Sequence, residues 1–278
     1  MESFINAWQN LPANITPYLF SIGSFQLRYY SLMYLVGFAL VYLLTIYRIK
    51  NENYATYTAE TVQDYLVWAM LGLILGGRFG YALFYNFGYY FRHPLEIILP
   101  FDFSQGIKFV GISGMSYHGG LIGIVIVTLL FCRKRKINVW NFIDLICPSI
   151  PLGYTFGRIG NFINGELYGR VTTVPWGMYF PLDSTQRLRH PSQIYEALFE
   201  GIVLFILLWL IRKKKHFDGF LVGIYICGYG FVRFFIEFFR EPDYQLGFVL
   251  SFMSMGQVLC LLMIAAGTAI LIWRKNAA

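Results

Sequence analysis

The stretch GRIGNFINGELYG, Gly157–Gly169, gathers four glycines, two asparagines, an arginine and a glutamate in thirteen residues. Its neighbours are apolar. Upstream runs FIDLICPSIPLGYTF, Phe142–Phe156, and downstream runs ALFEGIVLFILLWLI, Ala197–Ile211. Further runs of the same kind are Tyr30–Tyr47, Tyr65–Tyr85, Leu121–Cys132, Phe220–Phe239 and Met255–Trp273. Crossing a bilayer takes about 20 mostly apolar residues, and five of the seven runs reach that length with their flanks. The third and fourth are marginal and contain Gly or Pro. The polar stretch therefore sits inside a membrane protein, where polarity is costly and needs a reason.

The whole composition agrees. Of 278 residues, 57% are hydrophobic and only 13% charged, against about 25% charged in soluble domains. The mean hydropathy is +0.53. The expected fold is an all-α polytopic membrane protein, a single integral membrane domain over residues 1–278 with about seven transmembrane helices. A small outer subdomain and interfacial arm segments complete it.

A net charge of +7 raises the question of nucleic acid, but the placement of the charge argues against it. Twelve of the 22 Lys and Arg form four groups: Arg48 and Lys50, Arg133–Lys136, Arg212–Lys215, and Arg274 and Lys275. Each follows an odd-numbered span, so all four fall on one side, and basic residues at span ends mark the cytoplasmic side. The expected topology is N-terminus outside and C-terminus cytoplasmic, with no nucleic-acid partner. The other ten basic residues, nine arginines and Lys108, lie in spans or on the outer side, against that bias. A planar guanidinium suits phosphate and carboxylate.

The N-terminus lacks a basic region followed by an apolar run, so no cleavable signal peptide is expected. Cys132, Cys147, Cys227 and Cys260 show no metal or disulfide spacing and read as small hydrophobes in helices. Residues 1–28 read as an outer segment suited to the membrane interface. Residues 86–120 form a long outer excursion, arm-like, and residues 164–196 an outer head with short strands. The elaborate loops are outside, so the work is expected at the outer face.

Four polar sets lie where a bilayer disfavours them. The opening stretch is the first. Irregular backbone is expected after Phe156, surviving at membrane depth only if buried or lining a wet cavity. Arg158 and Asn161 share a helical face, and Asn164, Glu166 and Gly169 follow. The second set, Tyr229, Arg233, Glu237 and Arg240, occupies one face of the sixth span; a plain Arg233–Glu237 ion pair is the competing reading. The third is SYHGGLIG, Ser116–Gly123, where His118 is either packed by hydrogen bonds or a general base. The fourth is RHPSQIYEALFEG, Arg189–Gly201, whose His190, Gln193, Glu196 and Glu200 read as helix capping and a buried network. Arg78 in GGRFGY is a further intramembrane arginine. No metal motif is present. Together these describe an outward-facing polar cavity for an anionic ligand, of which a phospholipid headgroup is the natural case.

GRIGNFINGELYG resembles the signature of the bacterial prolipoprotein diacylglyceryl transferases, G-R-x-G-N-F-x-N-x-E-x-x-G, at all eight fixed positions. The resemblance continues through YYSLMYLVGF, YHGGLIG, HPSQIYEA and RFFIEFFREPD, covering nearly the whole chain. It implies transfer of the diacylglyceryl group of phosphatidylglycerol to the thiol of the lipobox cysteine in a prolipoprotein signal peptide. The products are a thioether and glycerol-1-phosphate. This is the first step of lipoprotein maturation, at the outer face of the bacterial cytoplasmic (inner) membrane. No cofactor is implied. The family's essential arginines map onto Arg158 and Arg233, with His118 and Tyr229 beside them as catalytic candidates. The implied substrate-binding residues are Tyr30, Asn161, Asn164, Glu166, Gly169 and Glu237.

The residues fit that chemistry. A thiol has a pKa of about 8.5 and attacks as thiolate, so a base such as His118 helps. Arginines bind the leaving phosphate more strongly as its charge develops. The nucleophile is the substrate's, so no cysteine of this chain need react. A transporter or flippase shares membrane charges and Gly-broken helices, but it predicts an inverted repeat and polar loops on both sides. Neither is seen.

Overall fold

The protein is described here as a computed structural model covering residues 2–22, 25–52, 54–99, 101–102, 108–109, 114–241 and 253–277. It is mostly helical. Among the described residues five helices are long and apolar enough to cross a membrane: α2 (Tyr29–Asn51), α3 (Ala59–Phe84), α5 (Tyr117–Arg135), the composite helix Ser192–Lys214, and α11 (Met255–Asn276). The sixth expected span is a shorter apolar helix, α10 (Phe220–Ile236). The fourth is broken. A helix α6 (Val139–Ile146) gives way to one 3-10 turn, Cys147–Ser149, and then to α7 (Ile150–Ile163). Pro148 and Pro151 cause the break: each sits in the first turn of its element, where proline is tolerated but cannot extend the preceding helix.

Burial is inverted relative to a soluble protein. On the composite helix and α11 the apolar Leu198, Phe199, Leu207, Leu210, Leu261 and Leu262 are exposed, while Glu196, Glu200, Asp144 and Arg48 are buried completely. Exposed apolar faces around a polar interior are what lipid as solvent requires.

The chain forms two units. The first comprises residues 1–54 and 143–278 and the second residues 55–142. In the second unit α3 and α5 pack along glycines. A Cβ on Gly80 would lie 2.6 Å from Gly119 Cα, so the backbones touch, as small residues allow in membrane helices. Arg78 is not free for a ligand. It donates from Nη2 to Glu96 O at 2.6 Å, from Nε to Ile97 O at 3.0 Å and from Nη1 to Gly114 O at 3.1 Å, fixing the excursion after α3 to its helix. That excursion contains α4 (Phe87–Arg92) and a 3-10 turn, Pro94–Ile97. Residues 103–107 and 110–113 fall outside the described residues.

In the first unit, helix α1 (Glu2–Gln9) and a hairpin, β1 (Tyr18–Ile22) with β2 (Phe25–Arg28), precede α2. The N-terminal segment is tied to the loop region before Ser192: Trp8 Nε1 donates to Trp176 O at 3.0 Å, and Tyr179 N to Gln9 O at 2.8 Å. Phe162, Met178 and Phe180 make a small core there with Trp8, Ile15, Tyr168 and Ile194 packed against it. The strands expected in the head are reduced to isolated bridges, Gly169 with Arg240 and Arg189 with Val171 and Met178.

The basic groups at span ends carry more than orientation. Arg48 is fully buried and donates from Nη1 to Asp144 O at 2.7 Å and Leu145 O at 2.5 Å. Those carbonyls belong to the end of α6 and lose their helical partners at the break. Arg48 and Arg212 both pair with Glu52 at 2.8 Å. Asp144 in turn accepts from Gly219 N and Val222 N, capping α10.

Candidate active site

Three elements of the first unit converge. α7 contributes Arg158 and Asn161, since the helix runs on to Ile163. The irregular backbone expected after Phe156 begins instead at Asn164. Its glycines act differently than the sequence implies. A Cβ on Gly169 would press on the backbone oxygen of Phe239 and lie 3.0 Å from that of His190, so that glycine admits protein backbone. Its N–H donates to His190 O at 2.8 Å. Gly157 is the glycine of the stretch with nothing described within 4 Å of its Cβ direction.

The composite helix contributes Glu196 and Glu200. It starts as α8 (Ser192–Tyr195), widens into a π-helix over Glu196–Val203, and returns to α9 (Leu204–Ile211). π-helical turns often mark functional sites. α10 contributes Tyr229 and Arg233, with Glu237 capping its end and Arg240 following.

Glu196 is the hub. Its Oε2 lies 2.7 Å from Arg158 Nε and 3.2 Å from Arg233 Nη1, and its Oε1 lies 2.9 Å from Arg240 Nη1. Arg233 also pairs with Glu200 at 3.5 Å and with Glu237 at 3.2 Å. Three guanidiniums thus meet three carboxylates. The Arg233–Glu237 pair expected from spacing exists, but as one edge of this network. Tyr154 joins it: Arg158 Nε donates to the Tyr154 hydroxyl at 2.7 Å, and that hydroxyl donates to Glu200 and Glu196. The Tyr229 ring meets Tyr154 edge-on, centroids 5.9 Å apart.

A second layer extends from Arg158. Its Nη1 donates to Asn161 Oδ1 at 3.3 Å, as the i, i+3 spacing requires. Asn161 Nδ2 donates to Glu166 Oε1 at 2.8 Å, and Asn164 Nδ2 to the same oxygen at 3.3 Å. Tyr30, from the start of α2, lies over Gly160, where a Cβ would be 3.0 Å from the ring. Its hydroxyl is 3.0 Å from that of Tyr34. Of the expected site residues, the structure brings together Arg158, Asn161, Asn164, Glu166, Tyr229, Arg233 and Glu237, with Tyr30 beside them. His118 belongs to the second unit, exposed in the first turn of α5, where Ser116 Oγ caps the helix by accepting from Gly119 N at 3.2 Å.

Glu196, Glu200, Tyr154 and Arg240 were underweighted by the sequence. The available signal was charge: arginines inside a bilayer demand carboxylate partners, and Glu196 and Glu200 are two such groups four residues apart in an apolar run. The outer arginines divide the same way. Arg170 donates from Nε to Arg240 O at 2.7 Å, covering an end carbonyl beyond α10. Arg189 grips Asp183 at 2.7 Å. Burial would raise the Asp183 carboxyl, but hydrogen bonds from Arg189 and Thr185 outweigh it and hold it at about 2. Burial lowers the pKa of His190, favouring its neutral ring, whose Nδ1 is 3.1 Å from the Tyr195 hydroxyl.

Such a cluster, charge-balanced, buried and rich in spare N–H donors, suits an anion whose charge grows during reaction. A family profile described as prolipoprotein diacylglyceryl transferase matches residues 17–273. A protein of Chlorobaculum tepidum named phosphatidylglycerol–prolipoprotein diacylglyceryl transferase is 57% identical, over 100% of this chain and 96% of its own length. Proteins of the same name from Campylobacter jejuni and Campylobacter hominis are 46% and 44% identical, covering 96% and 94% of this chain and 95% and 91% of theirs. Over its full length, then, the chain belongs to the prolipoprotein diacylglyceryl transferase family.

Proposed function

We propose that this chain transfers the diacylglyceryl group of phosphatidylglycerol to the lipobox cysteine thiol of a prolipoprotein, at the outer face of the bacterial cytoplasmic membrane. The observation that carries the reading is the meeting of Arg158, Arg233 and Arg240 at Glu196, together with relatives whose names state the two substrates. In this reading the chain spans the membrane seven times, with α6–α7 as the broken fourth crossing. The N-terminus is outside and the C-terminus cytoplasmic, residues 86–120 form an outer arm, and residues 164–196 form the head. It needs no cofactor, metal or nucleic acid.

The chemistry assigns roles. The thiolate sulfur bonds to the terminal glyceryl carbon of the diacylglyceryl group. The carbon–oxygen bond to phosphate breaks, and its electron pair stays on the departing glycerol-1-phosphate. For the thiol proton the resemblance names His118, exposed in the first turn of α5. Arg158 and Arg233 bind the phosphate with donors the carboxylates leave over, since each guanidinium has five N–H. Their grip strengthens as charge moves onto the leaving oxygen. Glu196, Glu200 and Glu237 hold the forks in place, so little is spent on arranging them. Tyr229 and Asn161 add neutral donors, and Tyr30, Asn164 and Glu166 line the headgroup side. Gly169 acts indirectly, by letting the head pair with Arg240.

The test is incubation of the purified protein with phosphatidylglycerol labelled in the glycerol carbons of its diacylglyceryl group and a lipobox peptide. Label should appear on the peptide through a bond that resists alkaline hydrolysis of esters at the cysteine. Lipid crossing a vesicle bilayer with no labelled peptide would replace this reading by translocation.

A further inference from the structure

Two buried amide oxygens beside Glu166 have no hydrogen-bond donor among the described residues, Asn164 Oδ1 and Gln193 Oε1. Gln193 is 1% exposed. Their orientation is not arbitrary. Gln193 Nε2 donates to Glu166 O at 2.6 Å, and Asn164 Nδ2 donates to Glu166 Oε1 at 3.3 Å. Turning either amide over would set oxygen against oxygen, so both oxygens are acceptors in need of donors. Leaving buried acceptors unpaired is costly.

The turn that presents them is held deliberately. Gly165 and Leu167 both have positive φ, 69° and 60°, and leucine rarely adopts that region. Gln193 secures Glu166 O, and Ser192 Oγ donates to Leu167 O at 3.0 Å. Ser192 and Gln193 therefore do more than open the helix. They fix a strained turn around Glu166, to whose carboxylate and backbone oxygen the amides of Asn164 and Gln193 are respectively bonded. Through Asn161 this group is two hydrogen bonds from Arg158.

We propose that Asn164, Glu166 and Gln193 form a subsite that accepts hydroxyl hydrogen bonds from the glycerol headgroup, with Gln193 a specificity-determining residue. The proposal rests on the transferase reading above. A phosphate bound at Arg158 and Arg233 brings its esterified headgroup to this point. Neither phosphate nor acyl chain offers a donor; the headgroup hydroxyls do. A site built to bond a hydroxyl rejects the analogue without it far more sharply than an apolar pocket rejects a methylene.

The experiment measures kcat/KM with phosphatidylglycerol and with phosphatidylpropanol, which keeps the phosphate and acyl chains but carries no headgroup hydroxyl. The full chain in phosphatidylcholine vesicles and a lipobox peptide are used. Wild type should favour phosphatidylglycerol by about a hundredfold or more. Gln193→Met should lower that ratio about tenfold, chiefly by slowing the natural lipid. Asn164→Leu reads the same ratio independently if the first variant fails to insert. A purely structural Gln193 would slow both lipids alike and leave the ratio unchanged, overturning the proposal. Equal use of both lipids by wild type would overturn it without any variant. Absence of transfer by wild type from either lipid would overturn the transferase reading, and the subsite with it.

Discussion

Arg158 Nε lies 2.7 Å from Glu196 Oε2, a carboxylate with no exposed side-chain surface. Arg233 and Arg240 draw on the same side chain. One glutamate thus sets the spacing of three cations that would otherwise repel each other.

Glu196→Gln should therefore damage stability and activity together. Removing one partner of a buried pair costs about 3–5 kcal/mol, and here three arginines lose it. Thermal unfolding in detergent should show a clearly lowered midpoint, and turnover should fall at least as far. Normal stability in this variant would mean that Glu200 and Glu237 alone balance the cluster.

Arg158→Lys and Arg233→Lys separate charge from shape. Lysine keeps the charge but not the planar fork. Each variant should insert and unfold near the wild-type temperature while turnover drops roughly 10²–10³-fold. Near-normal turnover in either would reduce that arginine to a counter-charge for Glu196.

His118→Gln should slow transfer at neutral pH by about 10²–10⁴-fold, the usual worth of a general base. Because a thiol ionises unaided near its pKa of about 8.5, raising the pH should recover part of the rate. A neutral-pH rate equal to wild type would remove His118 from the chemistry.

Asp183 gives the head a pH dependence of known sign. Its carboxyl sits at about 2 in the folded protein against about 3.9 unfolded. A depressed carboxylate stabilises the fold fully above the unfolded value, and that contribution fades as pH falls from about 4 towards 2. The difference in melting temperature between wild type and Asp183→Asn should hold steady from pH 7 to 5 and narrow below 4. A constant difference down to pH 2.5 would show that the Arg189 contact adds nothing to stability.

The helical membrane character was readable because apolar run lengths report bilayer thickness directly. Arg158 with Asn161, and Arg233 with Glu237, were readable because helical spacing puts them on one face. What escaped was tertiary or local in origin. The break at Cys147–Ser149 turned one apparent span into two helices, because proline acts on the hydrogen bonds of the preceding turn. Arg48 counted as an orientation signal yet is buried against the carbonyls freed by that break. Glu196 and Glu200 read as part of a buried network, as they are, but their arginine partners, roughly 30–45 residues away on either side, were not legible from spacing. That Gly169 meets the backbone of Phe239 and His190 was not legible either, because sequence cannot say whose backbone comes close.

The widened turn over Glu196–Val203 makes chain length itself part of this site. Deleting one residue between Glu196 and Glu200 would shift the second carboxylate by roughly a quarter of a turn around the widened helix and take it from Tyr154 and Arg233. The same deletion near the exposed face of α9 would only advance lipid-facing leucines. Tolerance to insertions and deletions should therefore be lowest in those few residues, although their side chains, Ala197, Leu198 and Phe199, carry no reactive group.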